Sequence, residues 1–271
     1  MKKLILPVLA VMAMGTASAQ FNVGLSVGYG IGTPGQVLGT EATITSQKNI
    51  YGTLGGGLNI NLLPGYSFGD HFGVELGLNG FIGSKMTIQD VDMSVASLNY
   101  QRSSNQFRIS PAFVVKSGGE RLNVYAKAGL VFPVLGSTVS KIEDNRYSNP
   151  LFVQSIEAKT TGKFSVGFTG AFGASLNLGS KFSLFAEVGA NSIQVKSKET
   201  KYTKIEVNGT DQLAGANEFQ KRIKYVDELT PNSNTMGNPN MDSNKAKEEL
   251  RQVSNFSSFF LQVGFKISFG D

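Results

Sequence analysis

Apolar side chains recur at every second position along eight stretches of the chain, the period of a β-strand with one face in an apolar medium. The last of these, FFLQVGFKISFGD, carries Phe259, Leu261, Val263, Phe265, Ile267 and Phe269 on one face, with Phe260, Gln262, Gly264, Lys266 and Ser268 between them. The first places Phe21, Val23, Leu25, Val27, Tyr29 and Ile31 in phase. The second, starting at Ile50, keeps Leu54, Leu58, Ile60, Leu62, Tyr66 and Phe68 in phase, and the third shows Phe72, Val74, Leu76, Leu78 and Ile82. Phe107, Ile109, Phe113 and Val115 mark the fourth; Leu122, Val124, Ala126, Ala128, Leu130 and Phe132 mark the fifth. The sixth carries Phe164, Val166, Phe168, Phe172, Leu176 and Leu178, and the seventh Phe182, Leu184, Ala186, Val188 and Ala190.

Such a strand serves a soluble sandwich, with its apolar face inward, as well as a membrane barrel, with that face toward lipid. The connections separate the two. Residues 69–71, 117–121 and 179–181 are tight turns, whereas the other links are long, the last running from Val195 to Ser254. Short turns at one end and long loops at the other characterise a transmembrane barrel, and a sandwich has no reason to sort its loops by parity. The expected fold is all-β: a closed antiparallel transmembrane β-barrel of eight strands with long extracellular loops. KMTIQDVDMSV and KETKYTKIEV compete as a ninth and tenth strand, but both are polar on both faces and are expected as hairpin arms above the membrane.

MKKLILPVLAVMAMGTASAQ has two lysines, an apolar stretch and the small triplet Ala17-Ser18-Ala19, the pattern of a secretory signal peptide over 1–19 cleaved after Ala19. The apolar stretch is short for an anchoring helix, and no other stretch approaches the ~20 residues a spanning helix needs. One barrel domain, 20–271, remains. Losing Lys2 and Lys3 lowers the formal charge from +5, which gives little reason to expect a nucleic-acid partner. The chain has no cysteine, which excludes disulfides, thiol nucleophiles and cysteine metal sites. Its 32 glycines and 19 phenylalanines suit many short strands with aromatic ends.

The strand pattern over 21–269, the turn segment GYSFGDHFGVELG and the terminal run ending at Phe269 resemble the small eight-stranded outer-membrane barrels, the OmpX-like proteins and the barrel domain of OmpA. The resemblance implies that the outer-membrane lipids surround the chain. It also implies that the last strand, Phe259 to Phe269, is the signal read by the barrel-assembly machinery, although here Gly270 and Asp271 follow the terminal aromatic. No wall-binding domain is expected after the last strand.

Five charges fall in the phase opposite to lipid: Glu75, Arg108, Lys127, Glu187 and Lys266. Counted from the short-turn ends, the two lysines and two glutamates lie within roughly 5 Å in height at ~3.4 Å per residue, with Arg108 higher. An eight-stranded interior is just wide enough for side chains to fill it, so an interior charged cluster would close the lumen, as the ion-pair network of the resembled barrels does. The other outcome is five separately hydrated lumen residues.

Chemistry is sparse. The single histidine, His71, falls in a tight turn, at the wrong end for a hydrolase of outer-leaflet lipids. Glu75 and Glu187 have bases beside them that keep both ionised, which makes a poor acid/base pair. GLGGGLN is followed by no helix, so its glycines read as a bend or close packing, not as a phosphate loop. No catalytic site, metal site or cofactor is expected. The segment 195–254 mixes ten Lys/Arg with nine Asp/Glu. LTPNSNTMGNPNMDSN should be irregular and NKAKEELRQV a short helix capped by Ser243 or Asn244. This segment is a solvated loop or the contact region for a cell-surface ligand. The expected role is structural or surface interaction; a narrow channel for small solutes or hydrophobic compounds, as in OmpW-like barrels, is the alternative, and an outer-membrane lipid hydrolase comes third.

Overall fold

The structure, a computed structural model, describes residues 19–147 and 152–269. The expected leader, 1–19, lies outside them except for Ala19, as do Gly270 and Asp271. Eight strands form the wall: β1 (Ala19–Gly32), β4 (Gly57–Phe68), β5 (Phe72–Gly83), β7 (Ala96–Lys116), β8 (Leu122–Arg146), β10 (Gly167–Asn177), β11 (Phe182–Ser192) and β17 (Ser258–Phe269). Each pairs antiparallel with the next, and β17 returns to β1 through an unbroken register from Phe21↔Phe269 to Gly32↔Ser258, so the ring is closed.

The faces decide between sandwich and barrel. Phe21, Leu25, Val27, Tyr29 and Ile31 of β1 are 44–67% exposed, and the in-phase residues of the other wall strands face outward with them. The inward phase is polar and buried: Ser26, Asn59, Asn61, Glu75, Asn79, Arg108, Glu187 and Gln262. A soluble fold would invert this arrangement. The rise from Phe21 to Ile31 spans about 25 Å at ~3.4 Å per residue and a tilt near 40°, the height of a lipid-facing band. Aromatic pairs collect at its short-turn rim: Phe21–Phe269 at 6.0 Å, Phe72–Phe113 at 6.0 Å and Phe182–Phe265 at 5.7 Å. The expected terminal face is outward too, Phe259, Leu261, Val263, Ile267 and Phe269 exposed and Phe265 half-buried.

Beyond the band the strands continue as arms. β7 and β8 run 21 and 25 residues; β7 pairs there with β6 (Met86–Met93) and β8 with β9 (Phe152–Gly162). β9 pairs in turn with β12 (Gln194–Val207). The two polar segments that competed as extra spanning strands are therefore arms, and the wall keeps eight.

Three local expectations need correction. The second wall strand starts at Gly57, not Ile50: Ile50 belongs to β3 (Gln47–Tyr51), paired with β2 (Val37–Thr43). Gly52 and Gly57 sit at φ 145° and 152°, conformations that L side chains rarely adopt, and they turn 52–57 across the barrel mouth so that Leu54 points inward. The sixth wall strand starts at Gly167, leaving Phe164 and Val166 on the preceding link, where Phe164 stacks on Phe132 at 5.9 Å. Residues 247–250 form a strand, β15 (Lys247–Leu250), parallel to β14 (Arg222–Val226), not a helix. The residues are good helix formers, but a ready strand edge in the folded chain overrides that local preference. The helix of this region is α1 (Glu218–Lys221), closed by a capping box between Asn217 and Gln220. The turn-rich stretch is irregular as expected, yet ordered around Asn234, whose amide donates to the carbonyls of Asp242, Lys245 and Ala246 at 3.0–3.2 Å.

Candidate functional site in the barrel lumen

Four of the five inward charges meet. Glu75 accepts from Lys127 and Lys266, both at 2.6 Å, and Lys127 reaches Glu187 at 2.5 Å. β5, β8, β11 and β17 each contribute one of these groups, and the inward parity read from the sequence is the parity they have. Tyr125 donates its hydroxyl to Glu187 at 2.7 Å, and Gln262 donates to the other oxygen at 2.5 Å. The network climbs the lumen from there: Asn61 donates to Gln262 at 3.0 Å, and Asn79 donates to Asn61 at 2.7 Å and Asn59 at 3.2 Å. The carboxylate and ammonium groups alternate in sign and carry neutral donors around them, so the layer across the narrow lumen is nearly neutral.

Arg108 is the exception. It stands above the layer, 2% exposed, with its guanidinium 4.0 Å from the Phe81 ring and Nε donating to Gln106 at 2.8 Å. No carboxylate pairs with it among the described residues, so the expected five-member cluster is a four-member one and a separate arginine.

A second layer, which the strand pattern did not announce, seals the lumen toward the long loops. Leu54, Phe81, Val131, Ile193 and Phe256 are 0–3% exposed and pack together, with Met86, Ile88 and Val195 against them. Three come from links, held by backbone bonds: Leu54 N–H donates to Asn255 at 2.9 Å and Phe256 N–H to Ile193 at 2.8 Å. At Gly55 a Cβ would lie 2.4 Å from the Phe256 carbonyl, so only glycine allows this approach. Phe81 and Val131 sit in the inward phase of their strands, where an apolar residue among polar ones was the available signal.

Outside these layers His71 lies in the 69–71 turn, next to Gly118, and the described residues hold no cluster of metal-ligating groups. In the 195–254 segment, Arg251 donates to Asp227 at 2.5 Å and holds that carboxyl below the ordinary aspartate range.

Residues 4–226 match the family described as outer membrane protein beta-barrel domain. The chain belongs to that family. The match covers most of the expected leader and seven of the eight wall strands and stops before β17. No curated protein matches. Among solved structures, the outer membrane protein OprG from Pseudomonas aeruginosa is 10% identical, with 94% of this chain and 97% of that one covered and a TM-score of 0.44. CarO from Acinetobacter baumannii is 14% identical over 90% and 97%, at a TM-score of 0.32. Both are too distant for any residue-level comparison. For this outer-membrane barrel domain the lumen is therefore read from its own side chains.

Proposed function

We propose that this outer-membrane barrel keeps its lumen closed and acts through its wall and its long loops, as a structural element or through contact of 195–254 with a cell-surface ligand. The carrying observation is the pair of stacked layers, one ion-paired and one apolar, in an interior only wide enough for side chains. Ions crossing it would have to part the Glu75–Lys127–Glu187 chain and then pass a dry constriction of Leu54, Phe81 and Phe256, and apolar constrictions block ions by excluding water. The 1–19 leader, cleaved after Ala19, would export the chain, and the outward aromatic face of β17 would be read by the barrel-assembly machinery. The role is not enzymatic in this reading: both inward glutamates are engaged by lysines, and His71 stands apart from them.

Single-channel recording of refolded protein in planar bilayers tests the closed lumen. No stable current is expected; a steady porin-sized conductance would overturn it.

One observation favours a second reading, a path for hydrophobic compounds. β8 pairs with β10 up to Val131↔Gly167 and with β9 from Ser137↔Thr161, so residues 132–136 lack a ladder partner on that side. Pro133, which has no N–H to satisfy, lies in this gap. A cleft of about 430 Å³ opens there, with exposed Leu135 and Phe164 outside and buried Ser104 and Phe256 inside. An apolar compound moving between membrane and outer rim would quench a Leu135→Trp fluorophore; unchanged fluorescence at saturating compound would remove this reading.

A further inference from the structure

We infer that the central lumen cavity holds one small monovalent anion, of chloride's size and charge, against the Arg108 guanidinium. Among the inward groups of the two layers, Lys127 and Lys266 balance Glu75 and Glu187, each at 2.5–2.6 Å from its partner. Arg108 has no such counterpart. Its side chain is buried, its Nη2 meets no acceptor among the described residues, and a guanidinium does not escape by deprotonating. The Phe81 ring at 4.0 Å attracts the cation but carries no net charge. A buried, unpaired charge is among the most costly arrangements a fold can hold, so a counter-charge is called for.

The place for it is beside the guanidinium. A cavity of about 80 Å³ is bordered by Arg108, Asn79, Ser110, Thr169 and Asn191. Ser110, Thr169 and Asn191 bring hydroxyl and amide donors, the groups that coordinate a halide. Glu75 and Glu187 reach the same cavity, but lysines neutralise them. A cavity needs only ~10–15 Å³ by this measure to hold one water, so there is room for a halide together with several waters. Such a water, donating one hydrogen to the ion, would offer the other to Asn79 Oδ1, the second buried atom of this cavity without a partner among the described residues.

Bromide is the probe. Protein refolded and crystallised from sodium bromide should show an anomalous peak within hydrogen-bonding distance of the Arg108 guanidinium, absent in Arg108→Gln. In urea titrations at fixed ionic strength, replacing sodium gluconate with sodium bromide should raise the wild-type midpoint and leave that of Arg108→Gln in place. An unoccupied or water-filled cavity in the wild-type crystal would overturn the inference, as would an equal bromide shift in both proteins. If Arg108→Gln does not fold, the wild-type anomalous map decides alone. The proposal does not rest on the closed-lumen reading, because a bound ion and a bilayer current are read by separate experiments.

Discussion

Glu75→Gln removes one charge from the centre of the lower layer while keeping shape and volume. In the wild type the carboxylate receives Lys127 and Lys266 on its two oxygens, each at 2.6 Å, and its side chain is 5% exposed. After substitution Lys127 retains Glu187 at 2.5 Å, so one lysine is stranded, not two. Stranding a fully buried charge costs about 3–5 kcal/mol. Lys266 keeps 17% of its side chain exposed and borders the open vestibule at the short-turn mouth, where solvent can reach it. The expected loss is therefore about 2–3 kcal/mol, below the buried-pair value. Adding Lys266→Met removes the stranded group and should return the protein to within about 1 kcal/mol of wild type, because the remaining Lys127–Glu187 pair is balanced. Urea unfolding of refolded protein in lipid vesicles, followed by far-UV circular dichroism and electrophoretic mobility, reads all three. Losses that simply add in the double variant, or a single variant as stable as wild type, would refute the account of the layer as a coupled set of charges.

Further outcomes follow from the faces and the loops. Val263→Arg puts a charge into the lipid-facing band and should cost about 2–4 kcal/mol, whereas Gln262→Arg points at Glu187 and should cost less; equal damage in membrane-assembly assays would contradict the phase. Single cysteines at Asp70 and Asn238 should differ in intact cells, with only the second reacting with an impermeant maleimide; the reverse labelling would invert the orientation and end the surface-contact proposal. Gly55→Ala forces a Cβ against the Phe256 carbonyl, so it should loosen the apolar layer and speed hydrogen exchange at Leu54 and Phe256 without moving the amides of β5; unchanged exchange would mean that Gly55 does not hold the layer.

Much of the wall was legible because the period of two is set by the backbone alone. Once Phe259 to Phe269 pointed outward, the parity of Glu75, Lys127, Glu187 and Lys266 followed, and counting from the tight turns placed them at one height. Arg108 shows where counting stops being enough. Its parity and greater height were readable, but its neighbour is Phe81, an aromatic in the inward phase that periodicity passes over because it breaks the rule. Leu54 was read as lipid-facing because it continues the period of Leu58 and Ile60; Gly52 and Gly57 at positive φ break the strand between them, and a one-dimensional pattern does not register that break. For β15 the deciding partner, β14, lies more than twenty residues away, and nothing local to KEEL announces it.

The apolar layer also ties the surface to the lumen. Ile193 immediately precedes β12, and Phe256 follows β16 (Val253–Asn255), so the segment 195–254 begins and ends at two residues of the layer. The backbone bond from Phe256 N–H to Ile193 clamps these ends together, while the Ser257 hydroxyl accepts from the Ile193 N–H and the Thr53 hydroxyl donates to the Ser257 carbonyl. Strands of an eight-stranded wall offer few inward positions large enough to close the mouth, which is why links are drawn in to complete it. A consequence follows for any ligand of the outer loops. Force applied to 195–254 is delivered to Ile193 and Phe256 unless the sheet formed by β9, β12 and β14 absorbs it, and that sheet is anchored through β9 to the long arm of β8. Any load on the outer segment and the packing of the apolar layer therefore meet at Ile193 and Phe256, whereas the charged layer below is built from wall strands alone and does not share that load.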